Sequence, residues 1–259
     1  MKVCVLGLGN IGMPVVEYIS QHGFHVYGYD VVEKSVGAIE TFTDWELVPQ
    51  CDVFVVSVLS NSVEDVCKRI SSKSKKSLVC IESTVPVGTC RKIAEAFDLS
   101  ALVHCPHRLW VEDLINHGVR QLRVFGAIDE ESAQRGLDFY RSLDIPLHLC
   151  VSIELAEMCK IAENSQRFLE IAWAEQLSMI CHQLGLNFKQ LREAMNTKWN
   201  ISVKEARNGI RGTCLPKDSG ILLKQTGSSL IKTAVEVDNN YKAWLRTSKQ
   251  DRSSLGMRT

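Results

Sequence analysis

Two residue groups in the second half of the chain have types and spacings that could carry chemistry. Lys160 and Asn164 are four positions apart in Glu157-Met-Cys-Lys-Ile-Ala-Glu-Asn164, so on a helix they project from one face. A lysine in such an apolar stretch is uncommon without a task or a partner. Further on, Cys214 follows Gly212 by two positions and precedes Asp218 by four, in Arg211-Gly-Thr-Cys-Leu-Pro-Lys-Asp218. Taken alone, Cys214 reads more readily as a small buried apolar residue than as a nucleophile.

A third group is phosphate chemistry. Gly7-Leu-Gly-Asn10-Ile11-Gly12 closes the β-branched run Lys2–Leu6 and opens a helical run, and Asp30 ends the next apolar run 18 residues after Gly12. In that context the first glycine permits a sharp turn, Gly9 admits a pyrophosphate to the backbone, and Gly12 lets helix and strand pack closely. The helix N-terminus adds free N–H groups and the positive end of its dipole. Asp30 would accept both hydroxyls of an adenosine ribose and repel a 2′-phosphate, which favours NAD over NADP. Lys34, four residues on, would soften that preference if it faced the site; otherwise it is a solvated residue.

Positioning these groups requires two kinds of architecture. Strand-like runs at Lys2–Leu6, Phe24–Tyr29, Asp52–Val58, Ser77–Ile81, Ala101–Cys105 and Gln121–Phe125 alternate with helical stretches near 62–72, 88–97 and 130–141. Continuous apolar strands of this kind imply an α/β, Rossmann-like, doubly wound parallel sheet over residues 1–150. Its ligands belong at the carboxyl ends of the strands, where Ser57, Val58, Ser83, Thr84 and the His104–His107 segment should line one crevice. After Pro146 the pattern changes. A periodic run from Ser152 to Leu184 lacks Gly and Pro and predicts one helix of about 33 residues, nearly 50 Å long at ~1.5 Å per residue. Ser152 is an acceptable N-cap. Helices near 188–196 and 228–247 complete an all-helical second domain over 151–247, followed by a polar, solvated tail at 248–259. So long an amphipathic helix suggests a homodimer through this half.

Composition narrows the classes. The 259 residues carry 30 Lys+Arg and 30 Asp+Glu, so no electrostatic reason exists to expect a nucleic-acid partner. The first ten residues are too broken by glycine for a signal or a membrane span, which predicts a cytoplasmic chain whose ten cysteines are reduced. His104-Cys105-x-His107 has no second group at metal-ligand spacing, so no metal is expected. His22 and His25 flank a turn and read as surface residues.

In order, Gly7–Gly12 with Asp30, Glu82-Ser-Thr-Val-Pro-Val-Gly-Thr89, Cys105-Pro-His-Arg-Leu109, Glu157–Asn164 and Cys214-Leu-Pro-Lys-Asp218 resemble the UDP-glucose/GDP-mannose dehydrogenases over nearly the whole chain. The resemblance implies a four-electron oxidation of a sugar primary alcohol to a carboxylate with two NAD. It implies Cys214 as nucleophile, Lys160 and Asn164 as donors to the developing oxyanion, and Asp218 and Thr84 as positioning water. It also places Lys217 with the cofactor residues and Gly209, Arg211, His107 and Arg108 with the substrate. Three departures stand out. The chain ends where that family's nucleotide-sugar-binding domain would begin, so a separate chain supplying that domain is an expectation. The family's Pro-Glu-Arg is Pro106-His107-Arg108, exchanging a carboxylate for an imidazole that could act as a base. Arg211 stands where a glycine is expected, either gripping a substrate carboxylate or phosphate or lying idle on the surface. Two further readings stay open. One is a two-electron β-hydroxyacid-type dehydrogenase, which needs the Lys/Asn pair and no cysteine; the other is a catalytically inactive nucleotide-binding homologue.

Overall fold

The computed structural model describes residues 1–110 and 112–254, with side chains described as far as residue 247. It divides into two compact units, Met1–Lys160 and Ile161–Thr259.

The first unit is built on β1 (Lys2–Leu6), β2 (His25–Tyr29), β3 (Glu40–Phe42), β4 (Val53–Val56), β5 (Leu78–Ile81), β6 (Ala101–His104), β7 (Arg123–Ala127) and β8 (Leu147–Leu149). They form one sheet in the order β3-β2-β1-β4-β5-β6-β7-β8, so the winding direction reverses between β1 and β4. Residues of β4, β5 and β6 are buried without exception, which is why these strands read as unbroken apolar runs. Alternate side chains feed two cores. Leu6, Phe54, Val56, Val79 and Ile81 pack with Cys67 and Ile70 of α2 (Val63–Lys73) and Ile93 of α3 (Thr89–Phe97). Val3, Val5, Val55, Cys80 and Val103 pack on the other face with Val15, Val16 and Ile19 of α1 (Gly12–Ser20) and Phe139 and Tyr140 of α5 (Glu130–Ser142). Each such side chain contributes about 1.5–3 kcal/mol on burial.

One pairing corrects the all-parallel expectation: β7 runs antiparallel to β6. Among the described residues the connection between them holds only α4 (Leu114–His117), too short to be the crossover helix that a parallel return needs. The three-residue strands β3 and β8 escape a reading based on apolar runs.

The long helix α6 (Ile153–Gln183) starts as expected, with Ser152 Oγ accepting the Leu155 N–H at 3.2 Å. Beyond Lys160 the second unit contains the rest of α6, α7 (Phe188–Met195), α8 (Cys214–Thr226) and α9 (Ser229–Ser254). Helix α8 lies outside the helical stretches expected from periodicity, and it contains a proline. Pro216 sits in the first turn, where its missing N–H has no intrahelical acceptor to lose. Phe168, Ala172, Ile210 and Ala234 form one small core here, and Ala174, Leu177 and Val203 another. Helix α9 continues to Ser254, through positions expected as tail; the solvation of 248–259 lies outside the described residues. Among the described residues no helix is long and apolar enough to cross a membrane.

Candidate functional site

The first unit places a glycine loop at the switch between β1 and β4. Gly7 has φ +91°, and a Cβ on it would lie 2.6 Å from Ser57 O and 2.9 Å from Val58 Cγ1. A Cβ on Gly12 would lie 1.7 Å from Gly7 O. These two glycines are therefore demanded by the loop itself. Gly9 is different: a Cβ there would meet nothing within 4 Å, so its backbone fronts open space. Asn10 is exposed beside it, and Ile11 caps α1 with no side-chain hydrogen bond and no acid in the first turn. Such a terminus leaves N–H groups and positive dipole for an anion.

Asp30, just past β2, closes the mouth of the loop. Its Oδ2 accepts the Leu8 N–H at 2.7 Å and its Oδ1 accepts the Val32 N–H at 3.0 Å. A carboxylate oxygen accepts more than one donor, so both remain able to take ribose hydroxyls. The open Gly9 edge, the uncapped helix and this carboxylate together fit the pyrophosphate and ribose of a dinucleotide. Lys34 is half-buried, its carbonyl accepting from Thr41.

Thr84 lies half-buried in the loop after β5, which Ser83 Oγ ties to Val56 O at 3.2 Å and Val58 O at 2.7 Å. The early turns of α6 are anchored to the next segment. Buried Glu157 accepts the N–H groups of Gly88 at 2.5 Å and Cys90 at 2.8 Å, capping α3 from a distance, and Arg91 meets Glu154 at 2.6 Å. Lys160 sits one turn beyond Glu157, and its charge helps lower the pKa of His104 and His107. Burial is the larger cause at both, and it takes His104 to about 4.

His107 does not face a crevice. It is buried, with Nε2 set against the Glu82 carboxylate. Glu82 Oε1 also accepts from Arg123 at 2.9 Å and Tyr140 at 2.8 Å. Burial pushes this carboxyl up, but the neighbouring His107 and Arg123, with hydrogen bonds from His107 and Tyr140, hold it down at about 2. The imidazole that the sequence suggested as a base is thus committed to an internal acid. Arg108 is likewise anchored, its Nη1 donating to Leu122 O at 2.8 Å and its Nη2 reaching Cys159 Sγ at 4.0 Å. Among the described residues no three His, Cys, Asp or Glu side chains are placed to hold a metal ion.

The second unit gathers the thiol group. All ten cysteines are free, and Cys214 alone is exposed, at the first position of α8. Asp218 lies one turn further on the same face, buried, accepting from Asn164 Nδ2 at 2.5 Å and facing Lys217 Nζ at 3.3 Å. The loop before the cysteine is held by three residues that sequence reasoning missed. Asp238 accepts the Ile210 N–H at 2.8 Å, Lys242 donates to Ile210 O at 2.8 Å, and the Tyr241 hydroxyl reaches Ala206 O and Arg207 O. Gly209, at φ +85°, packs so tightly on Lys242 that a Cβ would lie 2.4 Å from its Cε. Arg211 is exposed, its Nε donating to Asn208 O at 3.3 Å. The only sequence trace of this grip is the Asp238/Lys242 spacing, which also describes an ordinary surface pair.

Residues 154–240 match the central domain of the UDP-glucose/GDP-mannose dehydrogenase family, and residues 2–103 match the NAD binding domain of 6-phosphogluconate dehydrogenase. The chain is 26% identical to a UDP-N-acetyl-D-mannosamine dehydrogenase of Methanococcus maripaludis over 94% of its own length and 66% of that relative's. It is 27% identical to an enzyme of the same description from Campylobacter jejuni, over 92% and 72%. A solved UDP-D-ManNAc dehydrogenase from Pyrococcus horikoshii superposes with a TM-score of 0.89 at 24% identity, covering 99% of this chain and 73% of that one.

Proposed function

We propose that the chain is a member of the UDP-glucose/GDP-mannose dehydrogenase family, an NAD-dependent oxidoreductase that converts a nucleotide-sugar primary alcohol to the carboxylate through Cys214. The observation that carries the reading is the single exposed thiol at the head of α8, with Asp218 one turn behind it and tied to Asn164.

The first unit would hold NAD through the Gly9 edge, the N-terminus of α1 and Asp30, with Ser57, Val58 and Thr84 on the neighbouring loops. When bound, NAD supplies the hydride acceptor for each oxidation. The chain's own residues handle the carbon. Lys160 donates to the alcohol or aldehyde oxygen and steadies its developing negative charge, and Asn164 assists. Cys214 Sγ bonds to the aldehyde carbon, and the carbonyl oxygen becomes the hydroxyl of a thiohemiacetal. Loss of hydride from that carbon and of the hydroxyl proton leaves a thioester. Water then adds, the C–S bond breaks, and thiol and carboxylate are released. The sum is two hydrides removed and one water consumed. Thr84 and Asp218 position that water, and Asp218 holds Asn164 in place.

We extend the reading to a homodimer through the helical unit and to the cytoplasm, which suits ten unpaired cysteines. A solution mass near one chain removes the dimer.

The test is Cys214→Ala with UDP- and GDP-sugars at limiting substrate. Two NADH per substrate in the parent protein and a fall of about a thousandfold or more in the variant are expected, with NAD binding unchanged. One NADH per substrate with an indifferent variant favours the two-electron reading, for which the Lys160/Asn164 pair on α6 suffices.

A further inference from the structure

In the second unit a cavity of about 260 Å³ is lined by Asn208, Arg211, Lys242, Leu245 and Arg246. Three of the five are cations and none is an acid. They come from two elements, the loop before Cys214 and α9, with Arg211 and Arg246 35 positions apart in sequence. We infer that this cavity is a phosphoryl-binding site, with Arg211 and Arg246 as its two anion-holding groups.

The floor is built rather than incidental. The Ile210 peptide is gripped at both ends, its N–H by Asp238 and its carbonyl by Lys242, while Tyr241 holds the carbonyls of Ala206 and Arg207. Lys242 also fills the space a side chain would need at Gly209. The loop backbone is therefore fixed on the helix just before Arg211. The charge of Lys242 is already answered by Asp238 at 2.6 Å. What remains facing the cavity is the pair of guanidiniums, both exposed and together carrying two positive charges. Two planar forks around one opening match the tetrahedral oxygens of a phosphoryl dianion, which each fork can grip with two N–H groups. Leu245 gives one apolar wall, which suits a phosphate ester or diphosphate. All five lining residues belong to the helical unit. Only the source of the phosphoryl group rests on the dehydrogenase reading.

The experiment is calorimetry on the full chain with saturating NAD present, titrating inorganic pyrophosphate in one arm and UDP in another. One pyrophosphate per chain is expected, with Arg211→Gln and Arg246→Gln each weakening it about tenfold, the loss of one charge-assisted contact. Gln keeps the stem of each side chain, and unchanged far-ultraviolet circular dichroism shows that the loop and helix persist. UDP binding with the same sensitivity to Arg246→Gln assigns the site to a nucleoside diphosphate; binding of pyrophosphate alone assigns it to the free anion. No binding by the parent protein, or binding that the double variant leaves unchanged, overturns the site. Neither result depends on NADH formation, so loss of the pocket and loss of the dehydrogenase reading are separable.

Discussion

Glu82 in the first unit and Glu175 in the second are both buried carboxylates, and the two units treat them in opposite ways. Glu82 sits at the end of β5, where a sheet brings Arg123 of β7, Tyr140 of α5 and His107 within reach of one carboxyl. Glu175 lies on α6 with no hydrogen bond to either oxygen among the described residues. Burial first, and Asp238 second, push its carboxyl up to about 7, and Lys242 offsets them only in part. A sheet gathers partners from distant segments, whereas a helix offers each side chain only the few that its packing neighbours present. The first unit thus spends buried charge on holding its loops, and the second stores an unanswered acid beneath the helix that carries its pre-cysteine loop.

The sharpest way to break this contrast is Glu82→Gln. It leaves the Arg123 guanidinium buried without a counter-charge, and the expected loss is about 3–5 kcal/mol in urea unfolding. The acid dependence has a defined sign. Because the folded carboxyl stands near 2, below its ordinary 4.5, its stabilisation is present above 4.5 and disappears as pH falls through about 2. A loss under about 1 kcal/mol would mean that water reaches Arg123 in the folded state.

Glu175→Gln should do the reverse. A folded value of about 7 lies above the ordinary 4.5, so the parent protein is favoured below 4.5 and loses stability as pH rises through about 7. The variant is expected to gain about 2 kcal/mol at about pH 8 and to remove that slope from a pH series of thermal melts. No gain would show that Lys242 turns from Asp238 to pair with Glu175.

The same contrast explains what could be read from the chain alone. The glycine loop was legible because its chemistry is backbone: positive φ at Gly7, the Gly12 contact and the open Gly9 edge all follow from missing Cβ atoms. The long apolar strands and α6 were legible through period and the absence of breakers. The antiparallel β7 was not, since pairing direction lies in a connection of irregular backbone rather than in the strand's composition. His107 misled because a motif position gives a residue's address and not its rotamer; its partner Glu82 is 25 positions away. The α9 grip on residues 206–210 was silent for a similar reason, being side chains that recognise carbonyls and N–H groups of a loop about thirty residues earlier.

The smallest effect is the most discriminating, because it asks whether the dinucleotide reading of the first unit rests on Asp30 as a ribose acceptor or as a loop brace. Asp30 already holds Leu8 and Val32 through their N–H groups, so Asp30→Ala removes both functions and should weaken NAD about tenfold, near 1.4 kcal/mol, by calorimetry. Asp30→Asn separates them. Its single carbonyl oxygen can keep one of the two N–H contacts, but it is neutral and no longer repels a 2′-phosphate. NAD should then fall less than in the alanine variant, while NADP gains relative to NAD. Equal losses for NAD and NADP in both variants would make Asp30 a brace alone. The rate at which a disulfide reagent modifies Cys214 supplies the control in the second unit: it should not change, since the fixtures of that loop are Asp238, Tyr241 and Lys242. A changed rate would mean that the glycine loop and the pre-cysteine loop respond to one another, and the contrast between the two units would no longer hold.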